Sequence, residues 1–135
     1  MATDDRRNED ARFPVARYEF PTETLPAIGV TAQTETLGNI NGTIEALEIV
    51  IADTTDGVTF TVTITSATGA TLFSEASLAD NQTHYKVALS NKATQDADFN
   101  PIPVNSTLTV TVTPNASPDA AGNNTVDVQV IIYVR

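Results

Sequence analysis

Few side chains in this sequence have the chemistry to carry a reaction. His84 is the only histidine, and there is no cysteine. Thiolate nucleophiles, thiolate metal sites and disulfides are therefore excluded. A serine–histidine–acid relay would have to run through His84, yet no G-x-S-x-G turn presents a serine. In the run Thr83 to Leu89, Tyr85, Val87 and Leu89 alternate as an inward face. That reading turns His84 outward, as a surface histidine. A zinc site there would need carboxylates for all its other ligands. The loop acids Asp53, Asp56, Asp80, Asp96 and Asp98 have the oxygens that calcium uses. Their surroundings, DTTDG and DADFN, suit turns whose acids bond local backbone. Nothing marks a glycosidase carboxylate pair. The expectation is a protein that is not an enzyme, with no catalytic residues, no metal site and no cofactor.

Recognition is a better use of the chemistry present. Residues 1–12 lack any apolar period and have the composition of a disordered segment. Arg6, Arg7, Arg12 and Arg17 can make charge-assisted bonds to a neighbouring surface. Phe13, Tyr18 and Phe20 can act as apolar anchors. Pro14, Pro21 and Pro26 keep the chain around them extended. Residues 13–27 thus suit a segment lying along a partner, and equally suit an edge strand of the domain's own sheet. Exposed ion pairs contribute only ~0–1 kcal/mol each, so the aromatics should matter more than any one arginine. At the other end, Ile131 and Tyr133 make the outer side of the last strand apolar. They suit a subunit interface or, the favoured reading, a surface covered by the N-terminal segment.

The elements that must position these groups read as β. Strands are expected at 28–35, 44–52, 58–65, 70–74, 83–89, 107–113 and 125–134. The clearest is Val58 to Thr65, with Val58, Phe60, Val62 and Ile64 inward and four threonines outward. The run Leu108, Val110, Val112 and the run Val126, Val128, Val130, Ile132, Val134 repeat the period of two. Asn39-Ile40-Asn41-Gly42 reads as a turn. Asp53 to Gly57 and Ala67 to Gly69 read as hairpin connections, and residues 114–124 as a long loop. Lys92 to Phe99 suits a helical turn or an irregular loop. The fold class expected is all-β, a single β-sandwich of jelly-roll or immunoglobulin-like type. An extended arm, residues 1–27, should precede a sandwich domain, residues 28–135. On that boundary, deleting residues 1–20 should leave the body folded.

A chain of 135 residues can bury roughly two-thirds of its unfolded surface without disulfides or metals. Abundant Thr and scarce Lys favour strand over helix. Residues 1–17 balance Asp4, Asp5, Glu9 and Asp10 against Arg6, Arg7, Arg12 and Arg17. The remaining acids face only Lys86, Lys92 and Arg135, so the body carries the whole net charge of −10. That charge argues against nucleic acid as a partner. No apolar run approaches the ~18 residues of a membrane span, and the polar start does not read as a secretory signal. A soluble protein made in a cytoplasm, with no membrane partner, is the expectation.

The stretch Gly42 to Tyr85, GTIEALEIVIADTTDGVTFTVTITSATGATLFSEASLADNQTHY, resembles the β-sandwich proteins of tailed bacteriophages that decorate, or cement, the capsid. The strands VNSTLTVTVT and VDVQVIIYV are similar to the same group. Bacterial immunoglobulin-like adhesin modules share much of the pattern. The resemblance implies a virion protein, assembled in the host cytoplasm, that binds the major capsid protein on the outside of the shell. It also implies a homotrimer with an arm that clamps neighbouring subunits. The partner-binding residues expected are Arg6, Arg7, Arg12, Phe13, Arg17, Tyr18, Phe20, Ile131 and Tyr133. The alternative is a glycan- or receptor-binding module of a fibre or adhesin. Against it, there is no Trp, and Tyr18, Tyr85 and Tyr133 lie in strands or the arm.

Overall fold

A computed structural model describes residues 15–87 and 102–135. They form β1 (Ala16–Glu19), β2 (Glu23–Leu25), β3 (Gln33–Ile51), β4 (Thr59–Ser66), β5 (Thr71–Ala79), β6 (Gln82–Val87), β7 (Ile102–Pro114) and β8 (Val126–Val134). Every pairing is antiparallel. The order is β1-β8-β3-β7-β4-β5, with β2 also on β8 and β6 also on β3. The chain is thus an all-β sandwich built from one continuous sheet. Lys92 to Phe99 lies outside the described residues.

The long strand β3 belongs to both halves. Its first part, Gln33 to Ile44, pairs with β7. Its second part, Ile44 to Ile51, runs between β8 and β6. The expected turn at Asn39 to Gly42 is a bend within this strand, with register shifts after Leu37 and after Ile44. Ile40 is buried at the bend, and an apolar anchor keeps the chain in the sheet instead of reversing it. Gly42 has φ of 150°, a conformation that side chains disfavour. A Cβ there would come within 2.7 Å of Val134 and 2.8 Å of the Arg135 carbonyl. The close approach lets Thr43 and Arg135 exchange backbone hydrogen bonds of 3.0 and 2.9 Å.

Alternation puts one apolar face of each half into a common core. Leu47, Ile49, Ile51, Val128, Val130 and Ile132 come from the first half. Phe60, Val62, Ile64, Phe73, Leu108, Val110 and Val112 come from the second, and all of these are buried. The inward faces expected for β4, β7 and β8 are the faces observed. The Ala67–Gly69 connection is a hairpin between β4 and β5.

The segment Asp53 to Gly57 is not a hairpin, because β7 separates β3 from β4. It crosses between halves, and Asp80 and the segment's own Asp56 bond backbone around it. Asp80 Oδ2 accepts the Thr54 N–H at 2.8 Å and the Thr54 hydroxyl at 2.5 Å. These bonds hold the Asp80 carboxyl below its usual value. Asp56 Oδ2 accepts the Ala120 N–H at 2.7 Å. Asp96 and Asp98 lie outside the described residues. Among the described residues no three His, Cys, Asp or Glu side chains cluster as a metal site would require.

The boundary expected at residue 28 does not match the pairing. Residues 16–19 and 23–25 are strands on β8. Phe20 and Leu25 are completely buried, and the Phe20 N–H bonds the Val130 carbonyl at 2.9 Å. The prolines Pro21 and Pro26 fall outside the paired residues, where a missing donor costs nothing in the ladder. Conversely, the strand expected from residue 28 starts only at Gln33. Ile28 and Val30 are exposed in the preceding loop.

Candidate partner-binding face

The outward side of the first half is the outer face of β1, β8, β3 and β6. Register aligns its side chains in rows. Arg17, Tyr133 and Ala46 form one row, and Glu19, Ile131, Glu48 and Tyr85 the next. Gln129, Val50 and Thr83 follow.

The rows are bonded to each other. The Tyr133 hydroxyl donates to Glu48 Oε1, and Arg17 forms an ion pair with Glu19. Gln129 Nε2 donates to Glu19 Oε1 at 3.0 Å. The bond to Glu48 pushes the Tyr133 phenol above its usual value, while Arg17 pulls it the other way. The Tyr85 and Tyr133 rings meet edge to face, 6.3 Å between centroids and 72° between planes, a favoured aromatic geometry. Tyr133 is half-buried, but Tyr85 is 57% exposed. Val50 is also exposed on this face. The result is an exposed ring and aliphatic group framed by carboxylates, an amide and a guanidinium. Such a face can grip a surface by contact and hydrogen bonding.

The structure brings together part of the expected set. Arg17, Ile131 and Tyr133 share this face. Ile131 is only 4% exposed, lying between Glu19 of β1 and Glu48 of β3. It is flanked in the sheet by β1 and β3 and is part of the face's support. Tyr18 has the opposite parity, paired with Ile132 at the sheet edge. Phe20 fills the core instead of anchoring a neighbour. Arg6, Arg7, Arg12 and Phe13 lie outside the described residues.

Tyr85 and Glu48 were missed because β6 was read with its faces reversed. Tyr85 pairs with outward Glu48, and His84 with inward Ile49. His84 is half-buried, its Nε2 donating to the Ala79 carbonyl at 2.8 Å. Lys86, on the same side, reaches Glu75 of β5 at 2.8 Å. These inward-parity polar groups stitch the edges of the two halves together, where the core gives way to solvent. Neither parity of Gln82 to Val87 is purely apolar, so alternation alone could not choose.

No family model matches the chain, and no curated protein matches it. Solved structures do. One of the infectious bursal disease virus Gx strain aligns with a TM-score of 0.50 at 13% identity, over 92% of this chain and 33% of that chain. The T13 particle of infectious bursal disease virus aligns at 0.49 and 15% identity, over 90% of this chain and 31% of the other. A CBM4 structure aligns at 0.37 and 14% identity, over 88% and 90% of the two chains. The chain thus spans about a third of the viral chains. At 13% identity, the Gx strain alignment is a likeness of fold.

Proposed function

We propose that this chain is a non-enzymatic structural protein of a bacteriophage virion, which binds the outer surface of the capsid and reinforces the shell. Its partner is the major capsid protein, and it acts as a homotrimer. The observation that carries this reading is the face built on Arg17, Tyr133, Glu48 and Tyr85. Ala16, the first residue of β1, lies opposite Val134, so the described chain begins at the edge of that face. Arg6, Arg7, Arg12 and Phe13 can then extend the same contact onto a neighbouring subunit. The sandwich fold shared with the infectious bursal disease virus structure is in keeping with a place in a virion. Particles lacking the protein provide the test. A chain without residues 1–14 should fold normally, occupy such particles poorly and fail to delay heat release of the genome. Occupancy equal to that of the full chain would remove the clamp.

A second reading is favoured by the exposure of Tyr85. An open tyrosine ring beside Glu48 and Gln129 offers stacking for a sugar's C–H face and acceptors and donors for its hydroxyls. Calorimetric titration with oligosaccharides separates the readings. Saturable binding lost in Tyr85→Ala supports the glycan module, and no binding supports the capsid protein.

A further inference from the structure

Glu23 occupies a position that the alternation of β2 reserves for an apolar residue. It is 3% exposed and faces inward with Leu25, between two fully buried residues of the same segment, Phe20 and Leu25. Among the described residues neither carboxylate oxygen has a hydrogen-bond partner. Val128 lies opposite it on β8. Asp127 of β8 is turned to the other side, where it accepts the Thr24 hydroxyl at 2.8 Å. From β3, the charge that acts on Glu23 is Glu35, and it is repulsive. The described cations are engaged elsewhere: Arg17 with Glu19, Lys86 with Glu75 and Arg135 with Glu45. A charged carboxylate in this site would thus be buried, unbonded and repelled.

We propose that residues 15–27 are a pH-sensitive strap, docked on β8 when Glu23 is protonated and loosened when it is ionised. The strap is held by two short strands and the buried apolar side chains Phe20, Leu25 and Ala27, so it is the part of the sheet that can open alone. Burial, then Glu35, pushes the Glu23 carboxyl from its ordinary 4.5 to about 8 when the strap is docked. An opened strap returns it to the ordinary value. The docked state therefore binds the extra proton between these limits. Docking is tightest below about pH 5, weakens roughly tenfold per pH unit up to about 8, and then levels off.

Hydrogen exchange of the full chain tests this, with rates corrected for the intrinsic pH dependence. The Phe20 amide, bonded to Val130, reports on the strap. Its protection should fall on the order of a thousandfold between pH 5 and 8, while amides of β4 keep theirs. Glu23→Gln, a neutral isostere of the protonated acid, should make the Phe20 profile flat. Glu35→Gln should move the upper end of the fall to lower pH. A flat wild-type profile overturns the proposal. So does the same slope in Glu23→Gln, or an equal loss in β4, which would mean global opening.

Discussion

The two outer faces of this sandwich are built from different chemistry. On the second half, register sets threonines side by side: Thr34, Thr111 and Thr63 in one row, Thr36, Thr109 and Thr65 in the next. Thr63 continues to Ser74, with the two hydroxyls 3.0 Å apart. The rows are uncharged, β-branched and mutually supporting, which suits a stable sheet surface. The first half instead carries Tyr85, Tyr133, Glu48, Arg17 and Glu19 on its outer face. Rows of threonine stabilise pairing without presenting a large group to a partner. The first face gives up that uniformity and exposes a ring. On the proposed function, stability and recognition fall to opposite sides of one core.

The largest expected effect lies in the core that both faces share. Phe60→Ala should cost about 3–5 kcal/mol, measured by denaturant titration. An unchanged midpoint would mean that the faces of β4 are reversed. Phe20→Ala should follow at roughly 2–4 kcal/mol, less because a site near the sheet edge can partly collapse. By the same logic, a chain beginning at residue 21 should melt well below one beginning at residue 15. Equal melting would show that β1 and Phe20 add nothing to the body. A smaller effect belongs to pH. Because the docked Glu23 carboxyl titrates higher than the free one, wild-type stability should decline from about pH 5 to about 8. Glu23→Gln should lose that share of the decline. The smallest effects are on the faces themselves. Thr61→Ala and Tyr85→Ala should each change stability by no more than about 0.5 kcal/mol.

Much of the second half was legible from period-two alternation, because β4 and β7 lie inside the sheet with one face buried and one solvated. The same rule held for β8. It failed at β6, an edge strand where His84 and Lys86 point inward yet reach polar partners on β5. Turn chemistry misled twice. Asn41-Gly42 marks a bend with a close backbone approach, and Asp53 to Gly57 marks a crossing between halves. Both demand the same residue types as a hairpin, and only long-range pairing distinguishes them. The proline-rich start suited an edge strand and a partner-bound segment equally, because its two strands are very short and flanked by proline, and only their pairing with β8 decides. Of the candidate site, Arg17 was visible as a charged contact of the N-terminal arm and Tyr133 as an outward residue of the last strand. Glu48 and Tyr85 were not, since their meeting depends on the register of β3 against β6 and β8. Glu23 looked like any acid of a polar segment until β2 was seen to turn it inward.

The contrast between the faces comes to a single binding measurement. Wild-type protein, Tyr85→Ala and Thr61→Ala would be added separately to particles lacking the protein, and occupancy followed against concentration. All three should be folded, so differences report on the faces alone. The account predicts that Thr61→Ala binds as wild type and that Tyr85→Ala needs at least about tenfold more protein, the loss of one aromatic contact of about 1.4 kcal/mol. Equal binding by Tyr85→Ala, or a loss confined to Thr61→Ala, would contradict it.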